Sequence, residues 1–222
     1  MLNSVIKTQF LYFISFFSGF TCLALEMVWV RIISFANMSA PQAFSFTLAI
    51  FLLGIAVGAL IGKKLCEKLN NVSAGTIGVI YFFSALVDLL IIYLAYLSAD
   101  SEHYLFFYGF LLFGSASIRG IVFPLVHHLG ANKAKTGREI SNVYFSNVFG
   151  SAVAPLIVSF VLLNYFTTQE VYLLIVGLTL LVSALCVISQ TKNVKLNGVF
   201  WYAGSLAIFI WVLLIKPFDL IE

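Results

Sequence analysis

Long apolar runs, broken by short polar interruptions, occupy almost the whole chain. A helix needs about 20 mostly apolar residues to cross a bilayer. Seven runs meet or nearly meet that length, at about 9–35, 42–62, 75–97, 105–127, 141–164, 168–190 and 198–215, the seventh being the shortest. The interruptions are too short to hold a soluble domain, so neighbouring helices must run antiparallel. The pattern predicts an all-α polytopic membrane protein, with residues 1–222 forming a single transmembrane domain.

The charges in the interruptions orient this bundle, because cytoplasmic loops of membrane proteins carry an excess of Lys and Arg. With the N-terminus in the cytoplasm, Lys7, Lys63, Lys64, Lys68, Lys133, Lys135, Arg138, Lys192 and Lys195 fall inside, and only Arg31 and Lys216 fall near the outer side. The outer loops carry Asp100, Glu102 and Glu170, and seven spans leave Asp219 and Glu222 outside. The expected location is an inner (plasma) membrane of bacterial type. The first run follows Lys7 but is about 27 residues long and contains Glu26 and Arg31. That does not suit a short cleavable signal, so a retained helix is expected.

Composition supports lipid as the solvent. Of the 222 residues, 62% are hydrophobic and 9% charged, and mean hydropathy is +1.06, against about 45–50% apolar and about 25% charged in soluble domains. The net charge of +3 is scattered over loops with no basic stripe, so no nucleic-acid partner is expected. Cys22, Cys66 and Cys186 show no metal or disulfide spacing. His127 and His128 are adjacent, about 100° apart on a helix, a poor geometry for a metal. Neither a metal nor a cofactor is expected.

Small residues predict where helices meet. Gly54, Gly58 and Gly62 recur every fourth residue in the second run, and Ser146, Gly150 and Ala154 do so in the fifth. Such faces let another backbone approach closely. They serve either as plain packing or as the sliding surface of a gate. Residues 54–61 (GIAVGALI) and 150–157 (GSAVAPLI) agree at five of eight positions, at an offset of 96. A three-plus-three inverted repeat, half of a major-facilitator plan with one extra helix, would produce this, with Gly54 matching Gly150.

Ionisable residues inside the runs are the most informative feature. A charge near the bilayer centre costs about 2.5–3.5 kcal/mol on insertion scales, so it needs a partner or water. Glu26, Asp88 and Arg119 are so placed. At about 1.5 Å per residue, Asp88 and Arg119 differ in depth by roughly 7 Å and Glu26 lies roughly 12 Å above Arg119. Arg119 is therefore expected to meet Asp88, Glu26 or a polar group on the fifth helix such as Asn147. Either an ion pair holds helices three and four together, or a polar cavity takes an amine, an acid or a proton. Ser84, Ser115, Ser117, Tyr144 and Asn147 are the polar neighbours expected around it.

No catalytic residues are expected, because no nucleophile–base series, Walker A loop or G-x-G-x-x-G after a strand is present. The order Glu26-Met-Val-Trp29-Val-Arg31, then LAIFLLGIAVGALIGKKL, then the late FPL at 123–125, then TGREISNVYFSNVFGSAVAP, resembles the membrane region of the fused major-facilitator/spermidine-synthase-like proteins. The likeness covers roughly residues 10–165. The positions that carry it are Glu26, Trp29, Arg31, Gly137-Arg138, Tyr144, Asn147 and Gly150. Members of that family commonly continue into a cytosolic aminopropyltransferase-like domain of Rossmann type. Here the residues after the sixth run offer one more span and a short tail, so the resemblance implies a membrane module and not spermidine synthesis.

Two function classes follow. One is a transporter-like module for a small polar or charged molecule, which on the facilitator plan needs a second copy and so works as a homo-oligomer. The other is a non-transporting subunit or scaffold of a membrane complex, serving a partner such as a separately encoded synthase-like enzyme. The loop 128–140 would then be a docking surface rather than ordinary topogenic charge. A water-accessible midplane cavity lined by Glu26, Asp88 or Arg119 favours the first, and closure of those groups into pairs favours the second.

Overall fold

The computed structural model describes residues 2–37, 40–69, 72–98, 104–133 and 137–189. Among these residues the regular structure is entirely helical. The helices are α1 (Leu2–Asn37), α2 (Ala40–Lys68), α3 (Ala74–Ser98), α4 (Tyr104–Lys133), α5 (Gly137–Ile157, continued by a π-helical turn Val158–Leu162 and a last turn Leu163–Tyr165) and α6 (Thr168–Ile188). Among the described residues six helices are long and apolar enough to cross a membrane, so the chain is a multi-pass membrane protein by length and composition. The seventh run at 198–215, the side given to the C-terminus and the loop charges at 100, 102, 135, 192, 195 and 216 lie outside the described residues.

The helices overrun the apolar runs at their ends. α2 continues through Lys63, Lys64 and Lys68, and α4 continues to Lys133 past Pro124. Hydropathy marks only the length that meets lipid, whereas straight-chain polar residues propagate a helix well. Breaks occur where side chains compete for backbone groups. Ser73 caps α3, its hydroxyl accepting from the Thr76 N–H at 3.3 Å. Thr167 caps α6 in a capping box with Glu170, whose N–H donates to Thr167 Oγ1 at 3.3 Å while its carboxylate accepts from the Thr167 N–H at 2.9 Å. Pro155 lies inside α5 three residues before the π-helical turn. A proline there removes one rung of the hydrogen-bond ladder, and the wider turn takes up the local misfit.

Half of the spanning residues of α1, α4 and α6, and 56% of those of α3, are buried, against 22% for α2 and 17% for α5. The core is therefore a four-helix group, with α2 and α5 applied to its flanks. The most extensive packing is α2 on α4, α1 on α5 and α3 on α6. The first two pairs run parallel and share one contact geometry. A Cβ on Gly58 would strike the Ser117 carbonyl, and one on Gly120 would lie 2.6 Å from the Ile55 carbonyl. A Cβ on Gly150 would strike the Phe16 carbonyl, and one on Gly19 the Asn147 carbonyl. In each pair a glycine meets the carbonyl three residues before the other glycine. The α2 and α5 members are 92 residues apart (58 to 150, 55 to 147), and the α4 and α1 members 101 apart (120 to 19, 117 to 16).

In these contacts Gly150 approaches α1 as Gly58 approaches α4. At an offset of 92 the small faces coincide throughout, Gly54 with Ser146 and Gly62 with Ala154. The five-residue identity at 96 is one helical turn away.

Candidate functional site

Polar side chains line up on the inner faces of the four core helices. Asp88 on α3 is fully buried and Arg119 on α4 is 4% exposed. Arg119 Nη2 donates to Asp88 Oδ2 at 2.6 Å, and the Ser115 hydroxyl donates to Oδ1 at 2.6 Å. Both carboxylate oxygens are thus engaged from α4, by residues one helical turn apart. α6 completes the surroundings. Tyr172 donates its hydroxyl to the Asp88 backbone carbonyl at 3.0 Å, and Thr179 Oγ1 lies 3.5 Å from Arg119 Nη2. Thr179 uses its own proton on the Ile175 carbonyl at 2.8 Å, so its lone pair faces the guanidinium. One turn beyond Thr179, Ser183 donates to the Gly78 carbonyl at 2.6 Å, tying α6 to α3.

The pair does not saturate the arginine. Arg119 Nε and Nη1 are buried with no hydrogen-bond partner, and so is the Ser84 hydroxyl one turn from Asp88. A guanidinium carries five N–H donors and keeps its charge at any relevant pH. A dry acceptor-free edge is therefore costly.

Glu26 on α1 faces the same core and is 3% exposed. Leu11 approaches Gly130, and Trp29 meets Tyr108 edge-on at 6.0 Å, which sets α1 antiparallel to α4. This register puts Glu26 about 6–12 Å from Arg119 along the helix axis, on its Ser115 side. Among the described residues no hydrogen bond or ion pair reaches the Glu26 carboxylate. Trp29, one turn further along α1, is fully buried and also meets Tyr172 edge-on at 6.4 Å.

The other expected residues are not brought to this place. Arg31 donates to the Leu163 carbonyl at 3.4 Å, at the C-terminal end of α5, and its guanidinium sits 5.3 Å from the Phe35 ring centre. It works there as a cation at a helix C-terminus. Asn147 donates to the Ser15 carbonyl at 3.1 Å, alongside the Gly19–Gly150 contact. Tyr144 is 55% exposed, its ring 6.0 Å from His127. Ser117 donates back to the Phe113 carbonyl at 2.7 Å, and its own carbonyl meets Gly58. The physical reason is common to all: α5 packs on the α1 face bearing Ser15, Phe16 and Gly19, and α2 covers the Ser117 side of α4. Gly54, Gly58, Gly62, Gly150 and Ala154 belong to those flank contacts, apart from the charged core.

Tyr172 and Thr179 were missed from sequence. Their signal was present: Tyr172, Thr179 and Ser183 fall at i, i+7 and i+11, one face of a helix, within a run otherwise read only as apolar. No family model, curated protein or solved structure matches the chain.

Proposed function

We propose that this membrane protein is a transporter-like module for a small polar or charged molecule, with its site in the core between α1, α3, α4 and α6, and that it works as an oligomer. The observation that carries this reading is the unsatisfied chemistry of that core. A guanidinium with two unpartnered nitrogens and a carboxylate with no partner are both held at membrane depth. Intramembrane ionisable groups mark substrate, ion or proton pathways unless they pair with each other. Here the pairing is incomplete.

The reciprocal glycine contacts support a three-plus-three inverted repeat, with α1–α3 equivalent to α4–α6. Swapping the halves exchanges the α2/α4 pair with the α5/α1 pair and leaves α3 facing α6, the packing order observed. Such repeats place the binding site at their interface, near the bilayer midplane. The facilitator resemblance at Glu26, Trp29 and Arg31 points the same way. Exposed Lys63, Lys64, Lys68 and Arg138 gather at the end of the bundle where α2 stops and α5 starts. That is the cytoplasmic end of a bacterial-type inner membrane by the charge rule, with the N-terminus inside.

The test is thiol access to the core. Cysteine replaces Ser84 in a chain whose Cys22, Cys66 and Cys186 are changed to Ala, and the protein is reconstituted in liposomes. A charged, membrane-impermeant thiol reagent should label position 84. Absence of labelling from both faces overturns the reading. The burial of Asp88 and Arg119 favours a second reading, in which the closed pair fixes helix register and the chain is a scaffold for a partner such as a separately encoded synthase-like enzyme. Under that reading position 84 stays unlabelled.

A further inference from the structure

A carboxylate cannot stay ionised in a low-dielectric core without a countercharge or several donors. Asp88 has both, from Arg119 and Ser115. Glu26 has neither among the described residues, although it is almost fully enclosed. Three charges share this core, two acidic and one basic, and the basic one is already committed to Asp88. The titratable and charged groups around Glu26 are few. Cys22 lies one turn from Glu26 on its own helix. Of the helices packed against α1, α4 carries Arg119 and Tyr108 and α6 carries Tyr172, while the charged residues of α2 and α5 lie at one end of each helix; Asp88 stands behind Arg119 on α3.

A metal cation would need several oxygen ligands. Among the described residues no group of three or more His, Cys, Asp or Glu side chains is placed to hold one. A proton needs only the carboxylate itself.

We propose that Glu26 is a proton-binding site. It holds its proton as a carboxylic acid in the closed arrangement of α1, α3, α4 and α6, and it gives the proton up when water enters that core. On release the O–H bond breaks, the proton passes to water, and the carboxylate left behind is hydrated or drawn to the free edge of Arg119. The loaded acid makes the core electrically neutral, and the released one leaves it with one net negative charge. The first half of the proposal stands on burial and partners alone. The second half, release on opening, rests on the transporter reading.

The experiment is infrared spectroscopy of the full chain in liposomes at neutral pH, in light and heavy water. The wild type should show a protonated-carboxyl C=O band that shifts on deuteration. The band should be lost in Glu26→Gln and kept in Glu67→Gln, which changes an exposed carboxyl at the end of α2. A band unchanged in Glu26→Gln overturns the proposal. If Glu26→Gln does not fold, Glu26→Asp serves instead: the band must move, and an unmoved band overturns the proposal. The thiol test at position 84 keeps the two readings apart. Loss of the band without labelling supports the bound proton and sinks transport. Labelling with the band unchanged does the reverse.

Discussion

Gly58 and Gly120 lie back to back where α2 crosses α4, each against the carbonyl three residues before the other. Within lipid no hydrophobic force drives helices together, so association rests on close packing and hydrogen bonds. This crossing puts two backbones in contact with no side chain between them. The Gly19–Gly150 crossing of α1 and α5 repeats it.

Adding a methyl group at these crossings should therefore cost stability. Gly58→Ala, Gly120→Ala, Gly19→Ala and Gly150→Ala are each expected to destabilise by about 1–3 kcal/mol, the usual overpacking range. Nothing lies within 4 Å of a Cβ on Gly114. Gly114→Ala should be neutral or should stabilise by up to about 1 kcal/mol through helix propensity. Thermal unfolding in detergent checks the set, and equal effects at Gly58 and Gly114 would refute the crossing.

Arg119→Ala leaves the Asp88 carboxylate buried without its cation. The expected loss is about 3–5 kcal/mol. Changing Asp88 to Ala as well removes the stranded charge, so the double variant should be more stable than Arg119→Ala alone. Unfolding of the two single variants and the double variant forms the cycle. Additive losses would mean that the two groups do not interact.

Tyr172→Phe removes one hydroxyl, which donates to the Asp88 backbone. That bond ties α6 to α3 beside the ion pair. A loss of about 1–2 kcal/mol is expected, a typical net hydrogen bond plus a stranded buried carbonyl. A Tm equal to that of the wild type would show that the carbonyl finds another donor.

Arg31→Leu should cost about 0.5–1 kcal/mol, since the interaction is one long hydrogen bond and a cation at the α5 C-terminus. Arg31→Lys should recover part of it, because the charge at the helix end is kept. Equal losses in the two variants would assign the effect to the guanidinium fork alone.

Orientation is open to a direct check. Cysteine at Lys64 should be labelled by an impermeant reagent only from the cytoplasmic side, and cysteine at Glu170 only from outside. The opposite result would invert the topology drawn from the loop charges.

Six of the seven apolar runs read from the sequence are helices long and apolar enough to span a membrane, and the seventh lies outside the described residues. Hydropathy is a local property, set by what each residue costs to place in a layer of known thickness. The sequence left Asp88, Glu26 and Asn147 open as partners for Arg119, and the structure closes the pair with Asp88. Tertiary structure decided which helix faces touch. It sent Asn147 to the Ser15 carbonyl and Tyr144 to the outer surface, set Gly58 opposite Gly120, and brought Tyr172 and Thr179 to the ion pair. These outcomes turn on backbone approach and on hydrogen bonds between residues far apart in the chain. In lipid every apolar face is equally well solvated, so hydropathy does not rank one face above another; only the fit of whole helices does.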